Sequence, residues 1–101
     1  MKSYKITGID LVHLCDSSPR FFGFRLENEI GSVCPFVDGE FMPPELMGYL
    51  DGNGDVVKDG FIDAEMEWAK KQVGKYLQCE GLIYRAFATS GDVSISEEKP
   101  E

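Results

Sequence analysis

Three oxygen-bearing side chains two positions apart, Asp51, Asn53 and Asp55, are followed by a further carboxylate at Asp59. This is the donor type and close spacing that a hard divalent cation takes. Other residues offer different chemistry. His13, Cys15, Cys34 and Cys79 would supply one imidazole and three thiolates to zinc, but their spacing fits no zinc finger or ribbon. Each cysteine has apolar neighbours, where a thiol serves as a small hydrophobe. A nucleophilic pair of Cys15 and His13 is disfavoured because side chains two apart on a strand stand parallel instead of converging. Asp63 and Glu67, one helical turn apart, have the separation of an acid and base pair, yet capping and solvation explain both. With one histidine, no glycine-rich phosphate loop and no G-x-S-x-G, no catalytic constellation is complete and the chain is not expected to be an enzyme.

Asp51-Gly52-Asn53-Gly54-Asp55 resembles the opening of a calcium-binding EF-hand loop, and Asp59-Gly60-Phe61-Ile62-Asp63 resembles its later part. The two halves do not join. A loop starting at Asp51 puts Val56 at the glycine position and Ile62 where the bidentate glutamate belongs. One starting at Asp55 puts Val57 at a ligand position and Met66 at the glutamate. No cofactor is therefore expected, with calcium on Asp51, Asn53, Asp55 and Asp59 in a non-standard geometry as the alternative.

The same residues belong to a larger feature. Nine carboxylates lie between Asp38 and Glu67 against the single Lys58, and this accounts for the entire net charge of −8. Such a charge opposes direct binding to nucleic-acid phosphate, which needs Lys and Arg. It favours a protein partner with a basic or nucleic-acid-binding surface, reached through Asp38, Glu40, Glu45, Asp51, Asp55 and Asp59. The plain counter-reading is a solvated loop that keeps a small protein soluble.

The elements that position these residues follow from pattern. Residues 4–15 read as a strand, and 21–26 as a second with Phe22, Phe24 and Leu26 facing the core. Residues 32–37 read as a third, at an edge because Pro35 lacks an N–H. Residues 43–50 begin either a short helix or, as slightly preferred, a hairpin with arms 47–50 and 56–58 around a turn at 51–54.

A helix over 64–79, capped by Asp63 and ended by Gly81, is predicted to face the sheet with Ile62, Met66, Ala69, Val73 and Leu77. Trp68 then points to the opposite side. There it serves as a partner anchor, or is covered by the acidic excursion. Residues 82–88 read as a central strand and 93–95 as a last one.

At 101 residues with 43% hydrophobic content, the chain is expected to be a single α+β domain over 1–95 with a frayed polar tail at 96–101. Its architecture is a small antiparallel sheet of four or five strands with one main helix packed on one face. No apolar run approaches bilayer length, no amino-terminal signal is apparent, and the three widely spaced cysteines suit a reducing compartment, so the expectation is cytoplasmic. The most economical function is an inhibitor or adaptor that docks through its acidic segment, a size and acidity shared by stand-alone inhibitors of phages and mobile elements. The alternatives are a divalent-cation module, and a small-molecule binding domain or small enzyme. The latter would have a pocket between helix and excursion in which Arg20, Arg25, Lys71, Lys75 or Arg85 meets an anion.

Overall fold

The computed structural model describes residues 2–13, 19–36, 42–53, 55–84 and 88–98. Strands β1 (Lys2–Val12), β2 (Arg20–Leu26) and β3 (Ser32–Val33) come first. They are followed by helices α1 (Pro44–Met47) and α2 (Phe61–Gln72), then strands β4 (Tyr76–Cys79), β5 (Gly81–Ile83), β6 (Ala88–Ser90) and β7 (Ser94–Ser96). The fold is α+β. Five strands form an antiparallel sheet in the order β3-β2-β1-β4-β7, and β5 pairs with β6 in a separate hairpin. The main helix, α2, lies against β2 and β1.

The pairing of β1 with β2 carries two irregularities that decide which side chains enter the core. Leu11 pairs with Phe21 and Asp10 with Gly23, so Phe22 is an extra residue on β2. Such a bulge turns the strand by one position. Phe21 therefore joins Phe24 and Leu26 on the buried face, while Phe22 is left 49% exposed. This corrects the strict alternation, which placed Phe22 in the core and Phe21 outside. Thr7 is the second extra residue, lying between the Ile6–Leu26 and Gly8–Arg25 pairs, and its hydroxyl donates to the Arg25 carbonyl. On the face away from α2, Arg25 and Ser32 both donate to the Asp10 carboxylate, with Arg25 Nε 2.6 Å from Oδ1.

The helix differs from its predicted span at both ends. Gly60, at φ 92°, occupies the amino cap, and its carbonyl accepts the Ala64 N–H at 2.9 Å. Asp63 thus lies inside the first turn, where its charge suits the helix dipole, and caps nothing. At the other end Val73 is extended and Gly74 takes φ 93°, a left-handed conformation that glycine adopts without Cβ strain. The reversed chain bonds at once to β1, with Gly74 N–H to Ile6 O at 2.8 Å and Ile6 N–H to Lys75 O at 2.9 Å. Residues 76–79 are consequently strand β4, beside the central β1, and not the last turn of the helix.

The buried face of α2 is also rotated from the predicted one. Phe61, Glu65, Trp68, Ala69 and Gln72 are buried, Ile62 and Met66 are half-buried, and Val73 is exposed. Trp68 is only 6% exposed and belongs to the core with Ile6, Phe21, Phe24, Leu26, Val33, Leu46, Phe61, Ala69 and Leu77. Its ring lies 5.4 Å from Phe36, 5.7 Å from Phe24 and 6.3 Å from Phe21, centroid to centroid. These are tilted and edge-on arrangements of the kind aromatic quadrupoles favour.

Of the apolar run predicted as a central strand, residues 82–83 lie in β5 and Ala88 in β6, which pair outside the main sheet, while residues 85–87 fall outside the described residues. An isolated bridge joins Cys34 to Ala88, and the Tyr84 hydroxyl donates to Glu29. β7 pairs with β4 at the sheet edge, close to the expected last strand.

Replacing Trp68 by Ala is expected to cost about 3–5 kcal/mol of folding stability, measured by denaturant unfolding. In the native protein, emission from this only tryptophan is expected to be blue-shifted and resistant to acrylamide. A red, readily quenched signal would contradict its burial.

Candidate functional site

Residues 42–60 leave the sheet and return to it as the start of α2, and two apolar side chains pin this excursion down. Leu46 on α1 is fully buried in the core, and the Tyr49 ring meets Phe61 edge-on at 6.2 Å. Residues 44–47 are helical, so the hairpin reading of this segment holds only at its tip. There Leu50 bridges Val56, Val57 N–H donates to Tyr49 O at 2.9 Å, and Asp51 N–H donates to Asp55 O at 2.9 Å. The excursion therefore packs on the start of α2. Phe21, Phe24 and Phe36, all outside the excursion, pack on the Trp68 ring.

With the backbone anchored, the carboxylates divide into three groups. Asp51 is exposed, but its Oδ1 accepts the backbone N–H groups of Asn53 at 2.8 Å and Asp55 at 3.0 Å. Its charge thereby holds the tight turn. Glu65 is buried on the inner face of α2. Burial pushes its carboxyl above the usual 4.5, and the Arg20 charge opposes part of that rise.

Glu45, Asp55, Asp59 and Asp63 form the third group, exposed and without an ion pair among the described residues. Glu67 is exposed as well and lies 3.8 Å from Lys70. The segment's one base does not neutralise this group. The Lys58 ammonium sits 5.1 Å from the centroid of the Tyr49 ring, a cation–π geometry.

Between the excursion and the start of α2 runs a groove of about 490 Å³. Val56, Phe61 and Ile62 give it apolar walls, and Arg20, Lys58, Asp59 and Asp63 also line it. A pocket between helix and excursion is thus present, with Arg20 at it. Arg25 instead bonds Asp10 on the far side of the sheet. Lys71 is exposed on α2, Lys75 lies 3.9 Å from Glu97, and Arg85 is outside the described residues.

Of the residues singled out for partner recognition, Glu45, Asp51, Asp55 and Asp59 are brought onto this one excursion, while Asp38 and Glu40 fall outside the described residues. Trp68 is removed from the set by its burial. Of the residues lining the groove, Val56 and Phe61 were not singled out, because neither carries a motif.

The metal alternatives rest on the same loop and on the cysteines. Among the described residues, no three His, Cys, Asp or Glu side chains are grouped closely enough to hold a metal ion. The Cys79 thiol is buried and donates to Gly81 O at 3.3 Å, Cys34 is half-buried, His13 is exposed, and Cys15 is outside the described residues. Searches of protein families, of curated proteins and of solved structures returned no match for this chain.

Two outcomes follow from this division. Asp51→Ala is expected to cost about 1 kcal/mol, the net worth of an ordinary hydrogen bond, and to speed amide exchange at Asn53 and Asp55. Asp51→Asn, which keeps an acceptor oxygen, should restore both. Glu65→Gln should stabilise the protein at neutral pH. A carboxyl with a raised folded-state pKa favours folding less as pH climbs from its unfolded value through its folded one. The gain should therefore vanish below the ordinary 4.5, a contrast that thermal unfolding at the two pH values would read.

Proposed function

We propose that the chain is a small acidic binding protein of the cytoplasm, an inhibitor or adaptor that docks on a partner with a basic or nucleic-acid-binding surface. The observation that carries this reading is that Glu45, Asp55 and Asp59 are exposed and have no ion pair among the described residues, on an excursion held to the core by Leu46 and Tyr49. Crowded like charges destabilise a fold, and among the described residues no cation forms an ion pair with these three. Because the backbone beneath them is anchored, the carboxylates are presented in a set arrangement, which lowers the entropy lost on binding. A basic partner would be drawn in at long range by the segment's charge and would supply the missing counter-charges on contact.

This role involves no membrane segment: among the described residues, no helix is long and apolar enough to cross a bilayer. Reversing Glu45, Asp55 and Asp59 to lysine spares the turn-forming Asp51. The triple variant is expected to keep its thermal unfolding midpoint. It should lose more than about tenfold of the basic proteins recovered from a native lysate by the immobilised wild type, and wild-type capture should fall with added salt. Unchanged recovery by the folded variant would overturn the proposal.

A further inference from the structure

The chain holds two asparagines, Asn28 and Asn53, and their surroundings differ in the one respect that governs the chemistry of an asparagine side chain. Asn53 is exposed at the tip of the excursion, and its side-chain amide makes no hydrogen bond among the described residues. The residue that follows it is Gly54. Glycine has no Cβ to keep a neighbouring side chain away from its backbone nitrogen. We propose that Asn53 is a site of spontaneous deamidation, which replaces an amide at the tip of the acidic excursion by a carboxylate as the protein ages.

The reaction needs only the chain and water. The Gly54 nitrogen forms a bond to Asn53 Cγ, the Cγ–Nδ2 bond breaks, and ammonia leaves with the proton given up by the peptide nitrogen. Water then opens the cyclic imide. Cleavage at Cγ gives aspartate, and cleavage at the main-chain carbonyl gives isoaspartate, whose backbone runs through Cβ and Cγ. Either product places a new carboxylate between Asp51 and Asp55, in a segment already crowded with like charge.

The turn sets the pace. Asp51 Oδ1 accepts the Asn53 N–H at 2.8 Å and the Asp55 N–H at 3.0 Å, and the Asp51 N–H donates to Asp55 O at 2.9 Å. These bonds fix the backbone on both sides of the reacting pair, and closing the imide requires that backbone to rotate. Asp51 therefore acts as a brake. Asn28 is exposed too, but the next residue is Glu29, which has a Cβ and whose N–H donates to Leu26 O at 3.2 Å. Its side chain meets no free neighbouring nitrogen and is expected to remain an amide.

The test incubates the full chain in mildly alkaline buffer and follows the tryptic peptide 26–58, which carries both asparagines, by fragmentation mass spectrometry. The amide-to-acid mass change should accumulate at Asn53 and not at Asn28, with matching release of ammonia and a rate that rises with pH. Gly54→Ala should slow it. Asp51→Ala should speed it about fivefold, the rate ratio for losing an ordinary hydrogen bond. The same comparison is available without a variant, since the wild type unfolded in guanidinium chloride should convert faster than the native chain. An Asn53 that stays an amide in the native protein after the unfolded chain has converted, or conversion of Asn28 at an equal rate, would overturn the proposal. Equal rates at Asn53 in native, unfolded and Asp51→Ala chains would overturn the braking role of the turn.

Discussion

Enclosure of the Trp68 ring by Phe21, Phe24 and Phe36 joins three parts of the chain: the helix, the second strand and the loop after the third. That enclosure depends on the bulge at Phe22. Without the extra residue, Phe22 would face inward and Phe21 would stand on the outer face, removing one wall from the indole. The helix must also present Trp68 inward, and this turns Phe61, Glu65 and Gln72 to the same side. Gln72 meets the requirement by donating its side-chain amide to the Trp68 carbonyl at 2.9 Å. Glu65 meets it at the expense of its ionised form. Arg20, whose charge partly offsets that penalty, opens strand β2 and also lines the groove. The core and the candidate site are therefore coupled through one arginine and one turn of helix.

Much of this architecture was legible in the sequence. Strand periodicity located β1, β2 and the edge strand, and the α+β class with one main helix follows from the 3.6-residue pattern after Gly60. The errors have identifiable physical sources. Leu77 continues the apolar stripe of the helix and does reach the core, but it does so from β4, since Gly74 had already reversed the chain. Two faces of α2, one residue apart, both carry apolar side chains at helical spacing. Choosing between them required knowing that Glu65 tolerates burial and that Trp68 has three aromatic neighbours waiting on other elements. Alternation along β2 failed for a different reason: a bulge is a property of two paired strands and has no signature in either alone.

The acidic stretch shows the same division between local and non-local information. That Asp51 would close a glycine-rich turn is a local matter, and its two backbone hydrogen bonds agree with the composition of that turn. That Glu65 would turn inward, alone among the carboxylates of α2, depends on the aromatic cluster. The groove depends on both, because its walls bring Val56 from the excursion, Phe61 from the helix and Arg20 from the sheet.

Dividing the carboxylates in this way changes what a charge count means. A net charge of −8 treats every acid alike, whereas the fold uses Asp51 to hold a turn, Asp63 to suit a helix dipole and Glu65 to line a core. Glu45 lies in the first turn of the short α1, Asp55 and Asp59 have no evident structural employment, and all three are exposed without an ion pair among the described residues. On the proposed reading, these three govern encounter, because long-range charge acts before any surface is matched. The fold holds these exposed carboxylates on one anchored excursion, so they can be altered without disturbing the aromatic cluster that holds the helix to the sheet.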